Sequence, residues 1–111
     1  MQKKNVNINV SERVVSIANM INDNNNPAVN QIVIELENRG KLFVSYSSLI
    51  CYKKGDIVYL SSKWNFSQTT RKHLYMFMRD ELGWQNIKKK KDVEQLIKES
   101  NVLILVNQIV F

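Results

Sequence analysis

A chain of 111 residues, 44% hydrophobic and 23% charged, has the size of one domain and too much apolar content to be disordered. Its one cysteine, Cys51, excludes an internal disulfide, and its one histidine, His73, leaves no zinc set with ordinary ligand spacing. The formal net charge of +6 is concentrated in residues 63–91, which hold eight bases against two acids, and a field centred there favours an acidic partner.

In chain order, the first residues lack the apolar run of a signal peptide, and nowhere does an apolar stretch approach the roughly 20 residues that span a bilayer. The expected location is therefore a cytoplasm, with no membrane partner. Residues 6–10 alternate apolar and polar, the period of a half-buried strand. Ser11 then reads as the N-cap of a helix whose stripe is Val14, Ile17, Ala18 and Ile21. The Asn-rich run 22–26 and Pro27 end that helix in a loop.

A sheet follows. Residues 29–37 place Ile32, Ile34 and Leu36 on one face and Gln31, Val33, Glu35 and Glu37 on the other. Residues 38–40 are a hairpin loop in which Gly40 supplies a positive φ, and 41–46 return as the next strand. Residues 48–53 and 57–61 pair around 54–56, so the four strands form an antiparallel meander. Ser67 caps a helix running to about Leu82, with Gly83 just past its end. Leu74, Phe77, Met78 and Leu82 share one stripe of it, beside a sector of Arg71, Lys72, Tyr75 and Arg79. A second helix starts near Asp92 as N-cap and buries Val93, Leu96 and Ile97, and 102–106 form an apolar strand. The last three residues either prolong that strand or form an edge that pairs with a second copy as a homodimer.

These elements predict a single-domain α+β fold, with two or three helices packed on a mainly antiparallel sheet of four to six strands. Residues 1–28 form an N-terminal strand and helix extension, and 29–111 form the core, with a basic insertion near 83–91.

From Ser45 onward the chain resembles a family of small proteins carried by phages and plasmids of low-GC bacteria. The resemblance rests on Ser45-Tyr46-Ser47-Ser48-Leu49-Ile50, on Ile57-Val58-Tyr59-Leu60, and on the stretch from Lys63-Trp64-Asn65-Phe66-Ser67 through Thr69-Thr70-Arg71-Lys72-His73. It covers a little over half the chain and leaves residues 1–30 outside. Residues 80–91 depart from the pattern as an insertion. Heavy use of Asn, Lys and Ile fits a low-GC origin. The resemblance implies a mobile genetic element in a bacterial host and brings no catalytic residues with it.

The residues themselves offer little for catalysis. Gly40, Gly55 and Gly83 each sit in turn-like places, so there is no glycine-rich phosphate loop. Cys51 reads as a small buried hydrophobe and Glu35 with Glu37 as a solvated pair. The expectation is a non-enzyme without a cofactor. For binding, Lys63, Arg71, Lys72, Arg79, Lys88, Lys89, Lys90 and Lys91 are the candidates for phosphate or an acidic protein face. Trp64, Tyr75 and Trp84 are candidates for stacking or for anchoring an interface. Against these stand structural readings: the lysine run as a solvated linker, Thr69 and Thr70 as a helix entry, Trp64 and Phe66 as a staple-like cluster. The expected function is an accessory protein that binds and modulates a host or defence complex, for example an anti-CRISPR-like inhibitor of a nuclease system. The alternative is a protein that binds DNA or RNA directly.

Overall fold

In the computed structural model, which describes residues 3–22 and 24–111 (backbone only for 3 and 4), seven strands and two α-helices follow one another. Met1 and Gln2, at the start of the sequence, and Asp23, within the Asn-rich run, lie outside the described residues. The strands are β1 (Lys3–Asn9), β2 (Val14–Ile21), β3 (Pro27–Leu36), β4 (Lys41–Ser45), β5 (Ser48–Lys54), β6 (Ile57–Ser61) and β7 (Leu103–Val110). The helices α1 (Gln68–Asp80) and α2 (Lys90–Glu99) stand between β6 and β7. The fold is thus α+β as expected, with one strand more than the upper expectation.

The additional strand is β2, where a helix was expected. Val14, Val15, Ile17 and Ile21 are β-branched, and such side chains lose χ1 freedom in a helix but not on a pleated surface. A stripe at three- and four-residue spacing needs a core to bury it, and only Met20 of this strand is buried. Antiparallel pairing with β3, through Ile17 opposite Ile34 and Ala18 opposite Val33, makes it a strand of the sheet.

The order in space is β1-β7-β6-β5-β4-β3-β2. Strands β2 to β6 form the antiparallel meander, while β7 runs parallel to both β6 and β1. The C-terminal residues therefore prolong β7 as far as Val110, and Phe111 lies just past its end. Ile109 and Val110 pair with Ile8 and Asn9, because the two helices carry the chain across and return it between its first strand and the meander.

The sheet is rolled, and chain length requires it. Strands β1 and β2 occupy opposite edges, six strand spacings or about 29 Å apart if flat. The connection from Asn9 to Val14 spans at most about 18 Å. It runs over the face opposite the helices. Val10 N–H donates to the Val110 carbonyl at 2.7 Å, the Tyr52 hydroxyl donates to Glu12, and Glu37 N–H donates to the Arg13 carbonyl at 3.0 Å. The curled inner face holds Val10, Ile34, Leu36, Leu42, Tyr52, Val106 and Ile109. The outer face packs Phe43, Cys51, Leu60 and Leu103 against Leu74, Phe77 and Met78 of α1 and Val93 and Ile97 of α2.

One turn differs from expectation in its chemistry. Asn38 and Arg39 take the positive φ values (58° and 65°), whereas Gly40 has φ −67°. Gly40 sits in a close approach: a Cβ there would meet Glu12 Oε2 and Leu36 Cβ at 3.2 Å, and these neighbours would have to give by a few tenths of an ångström. The β4–β5 turn puts Tyr46 and Ser47 at φ 50° and 71°.

Candidate functional site

The helical layer over the outer face carries most of the candidate binding residues. α1 begins at Ser67, whose Oγ accepts the Thr70 N–H at 3.1 Å, and ends where Gly83 (φ 75°) lets Trp84 N–H return to the Met78 carbonyl. Its buried face is Thr70, His73, Leu74, Phe77 and Met78. That leaves Arg71, Tyr75 and Arg79, four residues apart, along the side that meets the start of α2.

These side chains tie the layer together. Arg71 Nη1 donates to Asn65 Oδ1 at 3.0 Å, which places it beside the 3-10 turn Ser62–Asn65 that carries Lys63. Burial raises the pKa of the Tyr75 phenol above the ordinary tyrosine value, partly offset by Arg71, and Asp92 and Glu94 of α2 add to the rise. Arg79 Nη1 donates to the Ile87 carbonyl at 2.6 Å and so holds the inter-helix loop. Lys88, Lys89, Lys90 and Lys91 are exposed at the start of α2. Asp92 is the third residue of that helix, not its N-cap. Its Oδ2 accepts the Lys88 and Lys89 N–H groups at 2.9 and 3.0 Å. The Lys88 N–H bond leads in holding its carboxyl below the usual range, the Lys89 N–H and both ammonium groups adding to it. A single acid thus orders the lysine run and offsets part of its charge at a helix end whose dipole is also positive.

The structure brings Lys63, Arg71, Tyr75, Arg79 and the lysine run onto one layer. Lys72 is exposed on α1, in the sector it shares with Tyr75 and Arg79. One aromatic candidate is corrected. Trp64 is 6% exposed within the outer-face core, so it has no face to offer a base. Trp84 is half-buried against the same core. Phe66, read as Trp64's packing companion, is 78% exposed.

Sequence reading also missed a buried polar group beneath α1. Gln31, placed on the solvated face of its strand, is 1% exposed and pairs in register with Ser45, whose hydroxyl meets Thr70 Oγ1 at 2.8 Å. Neither amide atom of Gln31 has a partner, nor does His73 Nε2, while His73 Nδ1 bonds the Thr69 carbonyl at 2.9 Å. Val33 on the same face was the available signal, since an apolar residue there implies that this face is covered. Cys51 is fully buried, its thiol pushed far above the ordinary range by desolvation, and neither His73 nitrogen pairs with it. Among the described residues no group of three His, Cys, Asp or Glu could hold a metal ion. No helix among them is long and apolar enough to cross a membrane.

The β2 edge has the opposite character. It contains no charged residue, and Val14, Val15, Ile17 and Ile21 are all exposed.

A model of a family of unknown function, DUF8033, matches residues 15–97. The chain belongs to that family. The matched span runs from β2 into α2 and so takes in α1, most of α2 and the bases of residues 63–91, leaving β1 and β7 outside. It starts some thirty residues before Ser45, so β2, β3 and β4 belong to the DUF8033 unit, whereas the resemblance left residues 1–30 outside. No curated protein and no solved structure is significantly similar to the chain.

Proposed function

We propose that this DUF8033 protein is a non-catalytic accessory protein that binds a host or defence nucleoprotein complex and modulates it through contact with the nucleic acid. The observation that carries the reading is the gathering of Lys63, Arg71, Tyr75 and the lysines at 88–91 on one helical layer. A basic layer with an aromatic residue inside it suits a phosphate backbone better than an apolar protein surface. The finer context is a phage or plasmid element, with an anti-CRISPR-like inhibitor as one form. It rests on the sequence resemblance from Ser45 to His73.

The test is affinity for short single- and double-stranded DNA and RNA at two salt concentrations. Binding that weakens steeply with salt is expected, because each phosphate contact releases counterions. Absence of binding at low salt overturns the nucleic-acid contact. A second reading, docking on a protein through strand addition, is favoured by one observation, the apolar and uncharged β2 edge.

A further inference from the structure

Between the β4–β5 turn and the entry to α1 lies a cleft of about 160 Å³, lined by Ser45, Tyr46, Ser48, Ile50, Lys63, Phe66 and Thr70. Its lining is mostly apolar, with Ile50 among it, and a short chain of hydroxyls supplies the polar part. Ser67 Oγ donates to Thr70 Oγ1 at 3.0 Å, and Thr70 Oγ1 lies 2.8 Å from Ser45 Oγ. Either Ser45 or Thr70 can donate in that pair, and whichever accepts keeps its own hydroxyl proton for another partner. Ser45 is 2% exposed, and its cross-strand partner Gln31, on the same face, is 1% exposed with both amide atoms unpaired. Buried polar groups are nearly always paired, so Gln31, directly behind Ser45 and not itself lining the cleft, has hydrogen-bonding capacity that the fold does not use.

The rim is aromatic and basic. Phe66 is 78% exposed and Tyr46 49%, two rings facing water beside the cleft. Tyr46 and Ser47 hold left-handed backbone conformations, which are strained for residues with a Cβ, and Tyr46 N–H is fixed to the Asn30 carbonyl at 2.9 Å. Lys63 completes the rim, and Arg71, bonded to Asn65 two residues on from Lys63, leads along the helical layer to the lysine run. Stacking faces, groups able to read a polar edge, and a cation at the mouth are together what an unstacked base requires. The volume is about half the lower end of ordinary ligand pockets, which suits one ring and not a larger ligand.

We infer that this cleft is a base pocket, which takes one unpaired pyrimidine-sized base of a single strand between Phe66 and Tyr46, over the Ser45 and Thr70 hydroxyls with Gln31 behind them, and with Lys63 on the adjoining phosphate. The inference rests on the nucleic-acid reading and deepens it. Affinities for an eight-nucleotide oligo-uridine and for a duplex of the same length are compared in the full chain and in the exposed-site variant Phe66→Ala. The expected result is a roughly tenfold loss for the single strand with duplex binding unchanged. In the unaltered chain, the Gln31 side-chain amide signals in NMR are expected to shift when oligo-uridine saturates the protein. If the single strand binds but Phe66→Ala leaves its affinity unchanged, or the Gln31 signals stay still, the pocket is overturned and the basic layer stands alone. If neither nucleic acid binds, both readings fall together.

Discussion

The helical layer and the β2 edge face solvent with opposite chemistry. The stretch that builds the layer carries eight bases in residues 63–91, while β2 has no charge in eight residues. In the helices the backbone is self-satisfied, so charge adds solubility and long-range attraction without competing for hydrogen bonds. At a sheet edge the outward N–H and C=O groups are unspent, and charge is the usual deterrent to pairing. β2 has no such deterrent, apart from the irregular register near Val14 and Ile21. The comparison teaches that the two surfaces suit two kinds of contact: a salt-sensitive one with an anion and a salt-insensitive one with another strand.

The largest effect that sharpens this contrast is expected from replacing Lys88, Lys89, Lys90 and Lys91 by Ser. Nucleic-acid affinity at low salt should fall on the order of a hundredfold, and the slope of log affinity against log salt should flatten by about three. Titration by fluorescence anisotropy measures both, and an unchanged slope would detach the lysine run from the contact. Next comes the anchorage that holds β2 and the crossing linker over the inner face. Gly40→Ala pushes a Cβ against Glu12 and Leu36 and should cost about 1–3 kcal/mol in urea denaturation. A neutral result would show that the linker gives way easily.

A smaller effect separates the two faces of the sheet from the two contact surfaces. Tyr52 on the inner face and Cys51 on the outer face both have pKa values raised by burial, Tyr52 also through Glu12. Raised acids of this kind favour the folded state while protonated. Their contribution is complete below the unfolded values, about 8.5 for Cys and 10 for Tyr, and is lost as pH rises past them. The denaturation midpoint should hold from neutral pH to about 8 and decline in alkali, with Tyr52→Phe flattening the decline. The smallest stability change, within about 0.5 kcal/mol, is expected for Ile17→Lys at the exposed edge. That variant should keep its nucleic-acid affinity and lose any partner held by strand addition. Loss of nucleic-acid binding in it would break the division of labour.

Periodicity made the meander, α1 and α2 legible, since each buries one face and the pattern of apolar residues has to follow the geometry. The same rule failed at β2. A strand exposed along most of its length has no core to impose a period of two, and chance spacing looked helical. Gln31 was misplaced because alternation assumes one solvated face, and in this sheet α1 covers the outer face and the linker crosses the inner one. The basic layer was legible as composition, but which bases meet was not. Arg79 also holds a loop carbonyl and Arg71 also holds Asn65, and such choices depend on neighbours brought together by folding.

By itself, the sequence determined a small α+β chain with its charge in one stretch, because composition and local period are properties of consecutive residues. Tertiary structure alone decided that β7 closes beside β1, that the sheet rolls, and that Phe66 faces water while Trp64 does not. Each of these depends on contacts between residues far apart in the chain, and a short linker across six strand spacings forces the curl that sets them.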